Sequence, residues 1–564
     1  MHDLLITGAE VADGTGAPLK RADVAIKDQR IVAVGDLKGE AAAETVDADG
    51  LVLAPGFIDI HTHYDAQITW DPIATPSTSL GVTTVVAGNC GFGIAPCKPE
   101  YRDLLARNLS IVEGMSIDAL RAGIRWDYET FPEYLDMLEG QGIVPNMAIF
   151  AGHSVTRTYV MGEEASLRAA REDEIETMRG LVKQALKAGA VGFATSYSHN
   201  HFGDDGLPMP SRVAKREETD ALIGALAESD HGVFQIANGP DVGVADMEAW
   251  ANMIKRPAFF SALLHTSAFP DRPRTMLQQA AEARQRGNQV YAQVTSQPFS
   301  MEFTLENAYP LGSLDVWEPL LGADLKQIAA TVGETSFRDE FRAQLSAPRG
   351  GKIFYGDWSR VEIAEVMSDK HRGIEGDTIG AAAEKAGADP ADFFFDLAIN
   401  EDLKTVFVAQ MQNIDEDAVD EMIKHPASVL AISDAGAHLS FLCDAGYALY
   451  LLSRWVREKQ SMPMEEAIRQ LTSVQADLYG ILGRGRIQTG NFADLVMFDP
   501  ATVGITKARR AFDLPGGASR LVRDPLGVHG VWINGTRIWD ETEYCVNGTR
   551  PGHVLREFSP TPGL

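Results

Sequence analysis

The sequence predicts an α/β fold in which a (β/α)8, TIM-like barrel carries a small β-sandwich domain formed by both chain termini. Three observations predict it. Eight short, β-rich apolar runs recur near 57–61, 82–88, 147–151, 190–196, 232–237, 258–264, 288–295 and 427–433, with helical patterns between most of them. A helix–Gly–strand step repeats at Gly189, Gly232 and Gly287. Both ends of the chain, in contrast, alternate apolar and polar residues between Asp/Gly turns, as half-buried strands do.

Taken in order, residues 1–55 supply the first part of the β-sandwich, through LLITGAEVADG, DVAIKDQRIVAVGD and TVDADGLVLAPG. Residues 56–484 are assigned to the barrel, and 485–564 complete the sandwich through GNFADLVMFDP and GVHGVWINGTRIW. Within the barrel, 174–188 places Ile175, Met178, Val182 and Ala185 on one helical face, and Gly189 stops the helix before the next strand. Strands alternating with helices imply a parallel sheet, and eight of them fit a closed barrel better than an open doubly wound sheet, which is the alternative. The stretch about 300–425 carries extra helices, 366–384 and 389–397 among them, and is expected to cover the barrel mouth.

Composition narrows the class. Of 564 residues, 45% are hydrophobic and 23% charged, ordinary for a globular protein. A net charge of −29 repels phosphate backbones and anionic bilayers, so neither nucleic acid nor membrane is expected as a partner. The four cysteines, Cys90, Cys97, Cys443 and Cys545, are too few for a disulfide framework and read as thiols. No stretch has the length and apolarity of a membrane span, and the first residues lack a signal-peptide pattern, so the cytoplasm is the expected location. Homo-oligomerisation is left open.

Three strand-end signals carry chemistry. In GFIDIHTHYD, His61 and His63 are two residues apart and project to one side of a strand, at the end where a barrel collects its catalytic groups. Two converging imidazoles suit a divalent metal. In GVTTVVAGNCGFG, an apolar strand delivers Cys90 into a glycine-rich turn, where a thiolate serves as a soft ligand or a nucleophile. In VLAISDAGAH, Asp434 ends the eighth strand, beside the first in a closed barrel, and is placed to ligate the same metal or to take a proton from an attacking water. Zn2+ matches the borderline softness of such a His/Cys/Asp set.

These motifs, with PGFIDIHTH, TGNFADLVMFDP at 489–500 and the strand-end Ser433-Asp434, resemble the amidohydrolase superfamily. GNCGFG, WDYETFPEYLDML, AGHSVTRTYVMG and LPGGASRL resemble its D-aminoacylase branch, the N-acyl-D-amino-acid deacylases, along nearly the whole chain. The resemblance implies a metal-dependent barrel that hydrolyses a linear amide C–N bond of a small N-acyl compound, with Cys90 in place of a bridging carboxylated lysine. It also places His153 and Arg157 at the mouth as substrate-binding groups. Apart from the resemblance, YSHNHFGDDG follows strand four and supplies Tyr197 and a second HxH pair, His199 and His201, read as a polar loop on the substrate side. Tyr64, Trp70, Phe202 and Phe441 add aromatic surface near the mouth.

The sequence departs from that branch where metal-binding histidines end strands five and six. Gln235 stands at the strand-five position, Ala237 at that of a following arginine, and Ala262 at the strand-six position; His265 restores one ligand if a register shift carries it there. Gln235 is then expected to meet the substrate. The departures predict one dominant metal site rather than two, and a pocket for a neutral or apolar amide. They also keep two other readings open, a cyclic amide or lactam hydrolase and a barrel that has lost catalysis.

Overall fold

The computed structural model describes residues 1–347, 352–440 and 442–560. It divides into two compact units. One comprises Met1–Leu263, Arg274–Gln297 and Met422–Leu564; the other comprises Leu264–Pro273 and Pro298–Glu421.

Each of the eight apolar runs carries a parallel strand in the first unit. Strands Phe57–Asp59, Val82–Ala87 and Asn146–Ile149 form one parallel sheet. Ala151–Gly152, Gly192–Ser196, Val233–Ala237, Ala258–Ser261, Val290–Val294 and Ser428–Leu430 form a second, each paired with the next. Only Phe150 separates the two sheets at one side, where it divides the strand of the third run into Asn146–Ile149 and Ala151–Gly152, counted here as one strand of eight; a parallel bridge between Thr62 and Ala435 joins the sheets at the other. Ile58, Val86, Ala148, Ala194, Val233, Phe259, Tyr291 and Val429, one from each run, meet in a single buried cluster. Successive residues along these strands are buried whichever face they point to, and burial on both faces explains why the segments read as continuous apolar runs rather than as alternating ones.

The helix expected at 174–188 spans Glu172–Ala188 and ends on Gly189, whose φ of +107° is the left-handed stop the sequence signalled. Met178, Val182 and Ala185 are buried as expected, whereas Ile175 is half-buried beside a buried Glu174 that accepts from the Arg171 backbone N–H.

Strands from both termini meet in one eight-stranded sheet. Val52–Pro55 pairs antiparallel with Leu495–Phe498, in the register Leu53↔Met497. Leu4, Ile6, Val24, Leu53, Leu495, Met497 and Trp532 form its buried side.

The second unit holds a three-stranded antiparallel sheet of Phe299–Phe303, Val361–Glu365 and Val406–Gln412, with helices Leu325–Val332, Thr335–Ser346, Ile379–Ala386 and Pro390–Asn400. The helix expected over 366–384 begins only at Ile379. Gly373 and Gly376 disfavour helix before it, and the Thr378 hydroxyl accepts from the Ala381 N–H and caps its start. No helix among the described residues is long and apolar enough to cross a membrane.

Candidate metal and catalytic site

The first parallel strand continues as extended chain through residue 63. Thr62 N–H donates to Val86 O at 3.1 Å and His63 N–H to Ala435 O at 2.7 Å, so the segment lies between the second and eighth strands. That extension puts both imidazoles on one side, with ring centroids 5.4 Å apart. The turn after the second strand brings Cys90 to the same place. Gly91 is obligatory there, because a Cβ would stand 2.5 Å from Ala194 O. Cys90 itself sits at φ 57° and Asp434 at φ 45°, left-handed conformations that cost non-glycine residues about 1–3 kcal/mol and cluster at functional sites.

The side chains converge. Ligand atoms of His61, His63 and Cys90 all lie within 4.8 Å of one another, and all three residues are buried. Asp434 Oδ1 stands 3.3 Å from His61 Nε2 and 3.7 Å from His63 Nε2, and Cys90 Sγ is 3.6 Å from His61 Nε2. Two nitrogens and a thiol out of water, with the part-exposed carboxylate of Asp434 facing them, fit a borderline-soft divalent ion such as zinc.

Without an ion the charges interact directly. Burial pushes the Cys90 thiol up, but the neighbouring His61 and His63 outweigh it and hold the thiol below its ordinary value. Burial likewise opposes ionisation of Asp434, and His63, His61 and His438 overcome it, leaving the carboxyl below the usual carboxylate range. These neighbours favour the carboxylate form of Asp434.

Two supporting side chains carry no signal in the sequence. His63 Nδ1 lies 3.0 Å from Oε1 of Glu113, a buried residue just past helix Arg102–Val112. His61 Nδ1 lies 2.6 Å from Gln293 Oε1, on the seventh parallel strand. His438, within VLAISDAGAH, adds a third imidazole whose backbone N–H donates to Glu113 O.

The expected substrate-binding groups separate into three sets. His201 lies beside the cluster: its ring packs on Phe92 at 5.0 Å, Phe92 lies 6.4 Å from His63, and its Nδ1 is 2.6 Å from Ser196 Oγ. Burial pushes its imidazole down to about 3, so it is neutral. Tyr197 is half-buried with its hydroxyl 2.5 Å from Thr219 Oγ1, while His199 is exposed and 3.6 Å from Asp241. His153 and Arg157 are a correction. Helix His153–Met161 starts at the histidine itself, and both side chains turn into the protein, fully buried on Glu218, with His153 Nε2 2.9 Å from Oε1 and Arg157 Nη1 donating to Oε2.

Gln235 is a second correction. It is wholly buried, accepts from the Cys90 N–H at 2.8 Å and donates to Ser261 Oγ at 2.9 Å, so its amide is spent on holding the cysteine turn rather than on a substrate. His265 is not part of the ligand cluster; it belongs to the second unit, where its N–H donates to Asn413 Oδ1 at 2.8 Å. Tyr64 is buried, Trp70 half-buried and Phe202 exposed, and Phe441 lies outside the described residues.

A family model described as "Amidohydrolase family" matches residues 44–538. The D-aminoacylase of Alcaligenes xylosoxydans xylosoxydans is 28% identical over 561 residues, covering 98% of this chain and 97% of the relative. The N-acyl-D-aspartate deacylase of the same organism is 28% identical over 564 residues, covering 99% and 96%. Among solved structures, the N-acyl-D-glutamate deacylase of Bordetella bronchiseptica, complexed with zinc and a phosphonate mimic of the tetrahedral intermediate, aligns with a TM-score of 0.67 at 26% identity over 99% of this chain and 100% of that one.

Proposed function

The chain belongs to the amidohydrolase family, hydrolases of carbon–nitrogen bonds other than peptide bonds, and from that premise we propose a metal-dependent enzyme that cleaves the linear amide of a small N-acyl compound. The observation that carries this reading is the buried convergence of His61, His63 and Cys90 with Asp434. We further infer that the eight parallel strands close into a barrel, supported by the Thr62–Ala435 bridge and the shared core.

His61 Nε2, His63 Nε2, Cys90 Sγ and Asp434 would hold the ion. A divalent ion there supplies Lewis acidity and lowers the pKa of water from ~16 toward ~7. Asp434, anionic and at the rim of the cluster, takes the proton of the attacking water and returns it to the leaving nitrogen, which must be protonated before the C–N bond breaks. His201, neutral and with Nδ1 2.6 Å from Ser196 Oγ, is proposed to donate Nε2–H to the carbonyl oxygen as negative charge develops, a role that requires the Ser196 hydroxyl to be the donor to Nδ1. Its replacement by phenylalanine is expected to lower kcat by about 10²-fold with metal content unchanged, read from steady-state kinetics beside elemental analysis. The whole proposal is tested by metal analysis and assays on an N-acyl panel with hydantoins and lactams alongside. Protein that takes up no zinc and hydrolyses nothing removes it, and activity on rings alone replaces the linear amide by a cyclic one.

One tightly held ion per chain is expected, because Gln235 is committed to Cys90 and Ser261 and no histidine stands at that place. Metal titration reads the count directly, and two tight ions per chain overturn it.

The substrate is expected to be neutral near the reacting centre. With Ala237 at the position of the strand-five arginine, a free carboxylate lacks a charge-assisted hydrogen bond there, and Arg157 does not supply one because it pairs with Glu218. Comparing kcat/KM for matched free-acid, amidated and uncharged substrates decides it. A strong preference for the free acid refutes the expectation and points instead to Arg212, which donates to the His201 carbonyl at 2.9 Å and stacks on Phe202.

A further inference from the structure

The two histidines of the HxH pair are backed unequally. Behind His63 stands a carboxylate, Glu113; behind His61 stands a neutral amide, Gln293. Gln293 projects from the seventh strand, is fully buried, and spends Oε1 on His61 Nδ1 at 2.6 Å and Nε2 on the Tyr479 hydroxyl at 3.2 Å. Tyr479 in turn stacks on Phe259 at 4.9 Å inside the parallel-strand core. Both ends of the Gln293 amide are engaged with protein groups in the interior.

We propose that Gln293 is a positioning residue that selects the His61 tautomer carrying its proton on Nδ1. An acceptor at Nδ1 holds that proton and leaves the Nε2 lone pair facing Cys90 and Asp434, the only tautomer able to ligate through that nitrogen. The inference rests on the metal-site reading above and adds a consequence to it. A carboxylate partner raises the basicity of the imidazole it backs, whereas an amide only orients it. His61 is thus the weaker donor of the pair, and its contribution is tunable from residue 293 without touching any ligand.

The experiment measures zinc affinity by chelator competition, and the absorption spectrum of the cobalt-loaded protein, for wild type, Gln293→Leu and Gln293→Glu. Thermal stability of the metal-free proteins is followed in parallel. Gln293→Leu is expected to bind zinc about 10–100-fold more weakly and to shift the cobalt bands, with Gln293→Glu restoring or exceeding wild-type affinity because a carboxylate is acceptor only. A role limited to packing predicts instead a loss of apo stability with affinity unchanged. Folded Gln293→Leu protein binding zinc within threefold of wild type overturns the proposal. Should Gln293→Leu not fold, the glutamate variant decides: affinity equal to or above wild type upholds the proposal, and a tenfold loss overturns it. Wild-type protein that binds no zinc at all would be a failure of the metal-site reading, a separate result.

Discussion

Asp434→Asn is expected to lower kcat by about 10²–10⁴-fold on any N-acyl substrate the protein turns over, the range that general acid–base groups contribute. Asparagine keeps the side-chain shape and an oxygen facing His61 and His63, so the loss falls on proton transfer rather than on assembly of the site. The wild-type carboxyl is held in its anionic form by His63, His61 and His438 against the penalty of burial, which is the state a proton acceptor needs. The amide has no such capacity. Kinetics at measured metal content check it: a kcat within fivefold of wild type at full metal content would exclude Asp434 as the proton carrier.

Glu218→Leu is expected to cost about 3–5 kcal/mol of unfolding free energy, because it strands the fully buried Arg157 guanidinium without its counter-charge. The same carboxylate receives His153, whose Nδ1 reaches Thr195 Oγ1 at 2.8 Å, so one substitution unlinks helix Arg216–Ala227 from helix His153–Met161 and from the fourth parallel strand. Chemical denaturation followed by tryptophan fluorescence reads the loss. An exposed pair such as Arg21–Asp49 provides the control, and its removal should leave the midpoint unchanged. If Glu218→Leu is equally silent, the buried pair has no structural role.

What the sequence shows of this molecule follows the range of the interactions. His61, His63, Cys90 and Asp434 are legible because each sits within a few residues of an apolar strand end; strand periodicity aims the two histidines, whereas Cys90 and Asp434 are aimed by left-handed turns that local sequence only hints at. Glu113 and Gln293 are not, since each becomes meaningful only through a partner 50 or 232 positions away. His153 and Arg157 mislead for the same reason. AGHSVTR looks like a strand delivering side chains to a mouth, but the helix begins at His153, and the acid that draws both side chains inward lies on a helix more than 60 residues later. Gln235 is visible as a departure from a ligand position, yet its actual partners, a backbone N–H and a serine hydroxyl, leave no trace in local pattern. The helix expected over 366–384 starts late because two glycines outweigh the apolar periodicity around them.

The pairing of Val52–Pro55 with Leu495–Phe498 has a bearing on how the protein is made. About 440 residues separate the two strands, and a ribosome adding ~5–20 residues per second takes roughly 20–90 s to supply the second after the first has emerged. Throughout that interval the nascent chain presents Val52 and Leu53 beside an unfilled strand position, at an edge of the kind that recruits other chains. Slowing synthesis, or depleting the chaperones that shelter nascent chains, is therefore expected to lower the yield of native protein more for this fold than for one whose terminal domain is encoded in a single stretch.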